Sequence, residues 1–275
     1  MYLVNQFKKI KAEGKKITIV TAYDYWSAKL VSETNVDGIL VGDCAAMVMH
    51  GEESTVNCDI ETIAMHVRDV RKGAPKKFIV AAVPFLSNRK GLERAMDNIE
   101  QLMKAGANAV KIEAVAGNEK LIRHLTESGI PVVGHIGLTP SHHNMVGGFK
   151  VQGKTLEEEL QIVENGKIMQ DLGCFCVVVE AVPPRVGHAL QQALEVPVIG
   201  VGAGIDVDGQ AMVLHDMLGM FSDFKPKFVR HYLNGAELIK NAVNEFVADV
   251  HELKYPNEKE SYVERKEIGV LRKAA

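Results

Sequence analysis

The feature that most constrains this fold is the alternation of strand-like and helix-like segments along nearly the whole chain. Short, almost continuously apolar runs predict buried strands, and the amphipathic stretches between them predict helices. Several predicted helices end at a glycine that a new apolar run follows, as at Gly106, Gly129 and Gly173. Seven strands are predicted in this way, at residues 17–21, 38–42, 78–83, 109–113, 132–135, 175–180 and 198–201.

Repeated β-α alternation with apolar strands is typical of a parallel sheet covered by helices. The chain has 275 residues, and α/β barrels commonly need about 250. We predict an α/β fold, a single-domain (β/α)8 TIM barrel over residues 1–255, with a C-terminal helical extension at about 228–253 and a charged tail at 256–275. The eighth strand has the weakest pattern, and residues 212–215 are the segment predicted to supply it.

An open, doubly wound sheet is the alternative fold. Its dinucleotide fingerprint is G-x-G-x-x-G after the first strand. The glycines of this chain lie late, at Gly200, Gly202 and Gly204, with G-x-G-x-G spacing. This pattern favours a tight turn after a barrel strand over a dinucleotide site.

Composition excludes several functional classes. A formal net charge of -3 and a pI near 6.4 give no electrostatic reason to expect nucleic acid. No apolar run approaches the roughly 18 residues of a membrane span, and the N-terminus lacks the apolar core of a signal peptide. The four cysteines form no C-x-x-C pair. We therefore expect a protein of the reducing cytoplasm that binds neither nucleic acid nor membrane.

The predicted strand at 109–113 carries two charges in an otherwise apolar run. Lys111 and Glu113 are two residues apart, so both side chains point to the same face. Burying such a pair is expensive, and at the carboxyl end of a barrel strand the pair would face a ligand. A structural ion pair at the rim of the sheet is the alternative.

Most of the other predicted strands also deliver a polar residue to this rim. Asp43 and Glu113 are hard oxygen donors, and Mg²⁺ commonly takes one or two protein carboxylates. A 2-oxo acid offers the metal a carboxylate oxygen and a carbonyl oxygen, and chelation would stabilise its enolate. For Asp43 alone, a helix cap or a loop contact is the plainer interpretation.

Glu180 follows three valines, so we expect partial dehydration to raise its pKa and suit it to act as a general base on a carbon acid. Pairing with Arg185 or another cation is the alternative. Lys111 would bind the substrate carboxylate or balance the acidic cluster. His135, taken alone, is more often a satisfied core residue than a catalytic one.

A long segment follows the fifth predicted strand. Residues 138–153 contain three glycines and are longer than a plain connection needs, which is typical of a loop that covers an active site. A surface excursion is the alternative. The adjacent His142 and His143 suggest metal binding, but histidines in a polar loop are more often solvated.

With these residues in place, the chain resembles the ketopantoate (3-methyl-2-oxobutanoate) hydroxymethyltransferase family from about residue 16 to 255. The resemblance rests on ordered matches at Thr21-Ala22-Tyr23-Asp24-Tyr25, Val41-Gly42-Asp43, Gly73-Ala74-Pro75, Ala105-Gly106-Ala107-Asn108, Val110-Lys111-Ile112-Glu113, Gly134-His135-Ile136-Gly137-Leu138-Thr139-Pro140, Gly147-Gly148-Phe149-Lys150-Val151-Gln152-Gly153, Pro197-Val198-Ile199-Gly200 and His215-Asp216.

This resemblance implies a (β/α)8 barrel that assembles into a homo-oligomer, a decamer. It implies transfer of a one-carbon unit from 5,10-methylenetetrahydrofolate to 3-methyl-2-oxobutanoate, forming 2-dehydropantoate for pantothenate synthesis. By resemblance, Asp43 and Glu113 bind Mg²⁺ and Lys111 contacts the keto acid. Glu180 is the base that removes the C3 proton, and His135 is a second catalytic candidate.

Two positions depart from the family pattern. The family has serine where Cys44 stands, and that serine holds the substrate carboxylate; the thiol is a weaker hydrogen-bond donor. The family has a second metal-binding aspartate, next to the substrate, where this chain has Ala82. We therefore expect weakened metal binding. Two alternatives remain: a divergent paralogue that acts as an aldolase or lyase on another 2-oxo acid, and a barrel that has lost catalysis and survives as a binding protein.

Overall fold

The computed structural model describes residues 3–142, 145, 147–221 and 226–262. Its centre is a closed barrel of eight parallel strands in sequential order, in which β8 pairs with β1. The strands are β1 (Ile17–Thr21), β2 (Gly38–Val41), β3 (Phe78–Ala82), β4 (Ala109–Glu113), β5 (Val132–Gly137), β6 (Cys176–Glu180), β7 (Val198–Val201) and β8 (Gly209–Met212). The predicted (β/α)8 barrel is confirmed.

Helices lie before the barrel, between its strands and after it. They are α1 (Val4–Ala12), α2 (Tyr25–Ser32), α3 (Ala45–His50), α4 (Ile60–Gly73), α5 (Leu92–Ala105), α6 (Glu119–Glu127), α7 (Leu156–Asp171), α8 (Pro184–Ala193), α9 (Leu214–Met217) and α10 (Gly235–His251).

Local sequence signals fix several helix ends. Asp24 caps α2 by accepting a hydrogen bond from the Ser27 backbone amide, and Asp59 caps α4 through the Thr62 amide. Gly106 ends α5 in the left-handed conformation, with φ of 117°, which side chains disfavour. These signals set where each connection returns the chain to the sheet.

Two apolar layers stabilise the barrel. Side chains alternate along each strand, so one set fills the interior and the other packs against the surrounding helices. The interior cluster contains Phe7, Ile17, Ile19, Phe78, Val80, Ala109, Val133, Cys176, Val178, Ile199 and Ala211. The larger cluster lies between sheet and helices. The four cysteines are free, and three of them are buried.

The amino end of the barrel is closed by α1. The Phe7 ring packs edge-on against Phe78 and Phe175, with centroids 4.9 and 5.6 Å away. Lys11 holds the helix in place, because its Nζ lies 2.9 Å from the Asp208 carboxylate. That carboxylate also accepts a hydrogen bond from the Val198 amide. The interior is therefore sealed below the rim where the strands end.

Two predicted boundaries are wrong. The eighth strand is Gly209–Met212 rather than residues 212–215, since the chain returns to the barrel directly through a loop that holds Gly202 and Gly204 at positive φ. The C-terminal helix begins at Gly235 rather than near residue 228. Residues 263–275 of the predicted tail lie outside the described residues. Among the residues described, no helix has the length and apolar character needed to cross a membrane.

Phe7 of α1 acts as the plug that closes the amino end of the barrel, and removing its ring should destabilise the protein. Phe7→Ala deletes a ring that is 1% exposed, and such a change typically costs about 3–5 kcal/mol. Urea unfolding of the variant measures the loss. Lys8→Ala, at the exposed neighbouring position, is the matched control and should change the free energy of unfolding by less than about 0.5 kcal/mol. Equal stability of the two variants would contradict a role for α1 as the plug.

Candidate active site

The predicted site residues lie together at the carboxyl ends of the barrel strands. Asp43 follows β2, Lys111 and Glu113 end β4, His135 lies in β5, and Glu180 ends β6. Parallel strands place these ends on one rim, which is where barrel enzymes build their sites. The structure therefore brings the predicted residues into one cluster, while their individual roles stay predictions.

Lys111 is the cation at the centre of this cluster. Its Nζ lies 3.5 Å from Glu113 Oε1 and 3.9 Å from Asp43 Oδ1. All three residues are buried. Burial disfavours the charged amine, but the neighbouring carboxylates of Asp43 and Glu113 outweigh that effect and raise the pKa of Lys111 above its ordinary value. The lysine thus stays charged inside the cluster.

Both oxygens of Glu113 have partners. Oε1 lies 3.2 Å from His135 Nδ1, and Oε2 accepts hydrogen bonds from the backbone amide and the hydroxyl of Ser141. Burial acts to raise the pKa of Glu113, yet Lys111, His135 and Ser141 together hold it well below its ordinary range. Glu113 is therefore an ionised carboxylate in a fixed orientation.

The pKa of Asp43 is shifted in the opposite direction to that of Glu113. Burial, reinforced by the negative charge of Glu113, raises the pKa of Asp43 to about 6, although Lys111 opposes the shift. Two carboxylates in one buried cavity share a single lysine, and that lysine stays closer to Glu113. The excess negative charge at Asp43 favours binding of a cation.

His135 lies between two acids. Its Nδ1 contacts Glu113, and its Nε2 lies 3.2 Å from Glu180 Oε2, an ion-pair distance without hydrogen-bond alignment. Burial and Lys111 lower the pKa of His135, but the two acids outweigh them and raise it above its ordinary value. A proton on His135 is thus stabilised beside Glu180.

Glu180 is the most accessible member of the cluster. Its side chain is 20% exposed, so the valines before it dehydrate the carboxylate less than the sequence suggests. Arg185 is not its partner, because that guanidinium pairs with Glu159 at 2.6 Å. The basic side chain next to Glu180 is that of His135, 3.2 Å away. Glu180 can therefore meet both solvent and a ligand above the rim.

Cys44 lies beside the acidic cluster as a neutral thiol. Its Sγ is 2.9 Å from the Tyr23 hydroxyl, and either atom can donate the hydrogen bond. Burial and then the Asp43 charge raise the pKa of Cys44 to about 12. The neutral thiol is therefore favoured at neutral pH, and Cys44 offers a ligand a weak S–H donor or its backbone amide.

Ala82 leaves one inward position at the rim without a polar group. It follows Phe78 and Val80 on the inner face of β3 and pairs with Lys111 in the β3–β4 register. The residue is 1% exposed. A carboxylate here would lie next to Lys111, and the methyl group of alanine supplies none.

The backbone turns sharply directly after both strand-ending carboxylates. Ala114 has φ of 63° and Ala181 has φ of 48°. Residues other than glycine rarely adopt these angles, and each such residue costs about 1–3 kcal/mol. These strained positions come immediately after Glu113 and Glu180, where the chain leaves the strands.

Sequence reasoning missed two supports of Glu113. Ser141 lies in the long loop after β5, and the loop pattern did not show that it folds back onto this carboxylate. Asn118, completely buried, donates hydrogen bonds from Nδ2 to the backbone oxygens of Glu113 and Ala114. A lone polar residue before a helix resembles an ordinary cap, so the pattern gave no signal for this role.

Other polar residues of the predicted rim have structural roles or lie elsewhere. Asp24 caps α2. His142 Nδ1 lies 2.9 Å from the Thr139 hydroxyl, whereas His143 lies outside the described residues. His215 is on α9 and stacks near Tyr23, with ring centroids 5.8 Å apart. None of these three described side chains touches the acidic cluster.

The donor set fits a hard divalent cation only in part. Within the described ranges, no group of three or more His, Cys, Asp or Glu residues is arranged to hold a metal. Asp43 and Glu113 nevertheless supply two carboxylates in one buried place, which matches the one or two that Mg²⁺ takes while water and substrate fill its other positions. Ala82 removes the third protein ligand that the family resemblance implies.

Comparison with known proteins establishes the family. The family model described as ketopantoate hydroxymethyltransferase matches residues 2–258. The chain belongs to this family. A 3-methyl-2-oxobutanoate hydroxymethyltransferase of Bdellovibrio bacteriovorus is 48% identical over 262 residues, which cover 95% of this chain and 100% of the relative. The enzyme of the same name from Coxiella burnetii is 46% identical and covers 91% and 95% of the two chains.

Solved structures share the fold at low identity. Phosphonopyruvate hydrolase in complex with oxalate and Mg²⁺ has a TM-score of 0.61 at 14% identity, covering 94% of this chain and 93% of that chain. A 2,3-dimethylmalate lyase of the PEP mutase/isocitrate lyase superfamily has a TM-score of 0.56 at 14% identity, covering 92% and 87%. These likenesses confirm the barrel architecture.

Removing Lys111 should leave two buried acids without a cation. We expect Lys111→Ala to lower the free energy of unfolding at pH 7 by about 3–5 kcal/mol, the usual cost of breaking a buried pair. The folded-state pKa of Asp43, already raised to about 6, would rise further, and Glu113 would lose the largest influence that lowers its pKa. Stability should then recover as pH falls toward 5 and decrease as pH rises, because only the folded state gains from protonation.

Urea unfolding between pH 5 and 8 measures this effect. The matched control is Lys104→Ala, which removes an exposed partner of Glu100 with side chains that are 74% and 60% exposed. The control should lose at most about 1 kcal/mol and show no added dependence on pH. If Lys111→Ala behaves like the control, the acidic cluster does not depend on this lysine.

Proposed function

We propose that this protein is a 3-methyl-2-oxobutanoate hydroxymethyltransferase that uses 5,10-methylenetetrahydrofolate and forms 2-dehydropantoate for pantothenate synthesis. The observation that carries the proposal is the buried cluster of Lys111, Asp43, Glu113 and His135 beside the accessible Glu180 at the rim of the barrel. Family membership and the names of the relatives support the choice of reaction.

Binding of the oxo acid begins with Lys111. Its ammonium is buried and charged, so it attracts the substrate carboxylate or carbonyl oxygen. Cys44 and Ala82 flank this position, and the Cys44 backbone amide is a further donor for the carboxylate. Ser141 and His135 hold Glu113 in place. Because Glu113 contacts the Lys111 ammonium, it keeps that ammonium oriented toward the rim.

Proton removal falls to Glu180. Its carboxylate takes the C3 hydrogen as a proton, and the electron pair left on C3 forms the enolate of the oxo acid. In the overall reaction that carbon forms a bond to the methylene carbon of the folate, both C–N bonds of the methylene bridge break, and water supplies the hydroxyl of the new hydroxymethyl group. The two folate nitrogens take up the proton removed from C3 and the remaining proton of the water. His135 stabilises the Glu180 carboxylate from below and is the second catalytic candidate.

A magnesium ion would be held by Asp43 and Glu113. When bound, it polarises the substrate carbonyl and stabilises the negative charge that develops on its oxygen. With alanine at position 82, we propose that the site binds the metal more weakly than a site with three carboxylates.

Further parts of the proposal concern the whole chain. By family resemblance the copies assemble into a homo-oligomer, a decamer, and the substrates are the small oxo acid and the folate. The domain boundaries predicted from the sequence, a barrel domain at 1–255 and a charged tail at 256–275, remain part of the proposal. The free cysteines suit the reducing cytoplasm predicted from the sequence.

A second candidate function is an aldolase or lyase reaction on a different 2-oxo acid. Ala82 and Cys44 favour it, because both reshape the pocket next to Lys111 and reduce its polarity. A degenerate homologue that only binds is the third candidate. The retained acidic cluster supports the two enzymatic candidates over this one.

Exchange of the C3 hydrogen tests the base. In deuterated buffer with Mg²⁺, 3-methyl-2-oxobutanoate should exchange this hydrogen without folate, as followed by proton NMR. Glu180→Gln should slow the exchange by about 10²–10⁴-fold, the usual contribution of a general base. Glu164→Gln, on the exposed surface of α7, is the control and should leave the rate unchanged.

The outcome separates the candidate functions. Exchange of 3-methyl-2-oxobutanoate that depends on Glu180 supports the transferase. Absence of exchange, combined with turnover of another 2-oxo acid, favours the aldolase or lyase. Failure to bind either metal or oxo acid in calorimetry leaves the third candidate, a barrel that has lost catalysis and binds some other partner.

Restoring a carboxylate tests the metal model. Ala82→Asp places an acid beside Lys111 at the vacated ligand position, so Mg²⁺ should bind about tenfold tighter by isothermal titration calorimetry. Ala82→Asn has the same shape without the charge and should show little gain. Equal affinity in all three proteins would mean that position 82 does not face the metal.

A further inference from the structure

Two histidine side chains meet between helices α3 and α4, apart from the acidic cluster. His50 is the last residue of α3, and His66 lies in the middle of α4. Their Nε2 atoms are 2.9 Å apart, and their ring centroids are 5.2 Å apart. His66 is buried, whereas His50 is exposed. The proposed reaction uses neither residue.

The protein holds the His66 ring in a fixed orientation. Its Nδ1 lies 2.6 Å from the backbone oxygen of Tyr23, and only an N–H group can donate to that oxygen. In the neutral ring the proton is therefore on Nδ1, and the Nε2 lone pair points at His50. Burial lowers the pKa of His66, which favours the neutral ring. Histidines that bind metals usually donate their second ring N–H to a backbone carbonyl or a carboxylate in the same way.

The second ring, that of His50, can adjust to a ligand because it faces solvent. With its proton on Nε2, His50 donates a hydrogen bond to His66. With its proton on Nδ1 instead, it presents a second lone pair to the same point. Two lone pairs that face each other repel unless a proton or a metal ion lies between them. The pair therefore accommodates either a shared hydrogen or a cation.

The spacing of the two nitrogens suits a tetrahedral metal ion. Two imidazole nitrogens bound to one Zn²⁺ at about 2.0–2.1 Å lie about 3.3 Å apart. A small rotation of the exposed His50 ring opens the observed separation to that distance. A negative charge is also close: the hydrogen bonds from Thr62, and the nearby His50, lower the pKa of Asp59. This ionised carboxylate favours a cation over the bare hydrogen bond.

The chemistry of the donors selects the class of metal. Imidazole nitrogen suits Zn²⁺, Cu²⁺ and Ni²⁺, whereas Mg²⁺ prefers oxygen ligands. The pair is thus chemically distinct from the two carboxylates of Asp43 and Glu113. The residues that the structure describes offer the histidines no third His, Cys, Asp or Glu in position to bind the same ion. Water reaches the remaining coordination positions from the exposed side of His50.

We propose that His50 and His66 form a binding site for one divalent transition-metal ion of the zinc class, with water completing the coordination. The ion takes the place of the hydrogen between the two rings. It ties the end of α3 to α4 and, through the Nδ1 bond of His66, to the backbone at Tyr23. The inference rests on the geometry of this pair and is independent of the proposed reaction.

Calorimetric titration of the full-length protein with Zn²⁺, in excess Mg²⁺, gives the first test. One ion should bind per chain, and the affinity should fall about tenfold or more in His50→Gln and in His66→Asn. The asparagine keeps a donor for the Tyr23 oxygen while it removes Nε2. His188→Gln, which removes a histidine that is 57% exposed on α8, is the control and should keep the affinity. An unaltered protein that binds no Zn²⁺, or folded variants with unchanged affinity, would overturn the proposal.

Electron paramagnetic resonance with Cu²⁺ identifies the ligands directly. The unaltered protein should show coupling to two histidine nitrogens, and His50→Gln should show coupling to one at most. His50→Gln changes an exposed side chain, so it decides the question even if the buried His66→Asn variant does not fold. The double variant His142→Gln with His143→Gln removes the only adjacent histidines in the sequence and should keep the two-nitrogen signal. Loss of the signal in the double variant, or its survival in His50→Gln, would contradict the assignment.

Discussion

The contacts of Lys111 with Asp43 and Glu113 are the interaction on which the rest of the site depends. Two acids could not stay buried side by side without a cation, because the cost of dehydrating each charge would be unopposed. The lysine keeps Glu113 ionised, Glu113 orients His135, and His135 stands against Glu180. The charge and orientation of each of these side chains thus depend on the charged side chain beside it.

The unusual composition of the rim affects this balance of charge. A carboxylate at position 82 would be a third acid next to a single lysine. Alanine leaves the cluster closer to neutral, so the protein folds around it more easily while its attraction for a cation decreases. Cys44, kept as a thiol beside Tyr23, lowers the polarity further. The site still contains the two buried carboxylates of Asp43 and Glu113, but it carries less negative charge than the family pattern implies.

Much of the architecture could be predicted from the sequence, because the first seven strands of the barrel are short apolar runs and glycines mark several helix ends. The eighth strand could not, since Gly209–Met212 contains only two apolar side chains and its position is fixed by pairing with β1. The gathering of Lys111, Glu113, His135 and Glu180 followed from the order of strand ends. The support of Glu113 by Ser141 did not, because it depends on how a long loop folds. The partial exposure of Glu180 and the positive φ of Ala181 were not signalled by any local pattern either.

In the part of the chain that the structure describes, α1 seals the amino end of the barrel and leaves the rim as the entrance. With Phe7 wedged between Phe78 and Phe175, a molecule reaches Lys111 only by passing the rim. If the oxo acid binds at Lys111 and the folate above it, as proposed, the acid has to arrive before the folate, and the product can leave only after the spent folate. A barrel that is closed at one end in this way imposes an ordered binding and release on any reaction with two substrates stacked inside it.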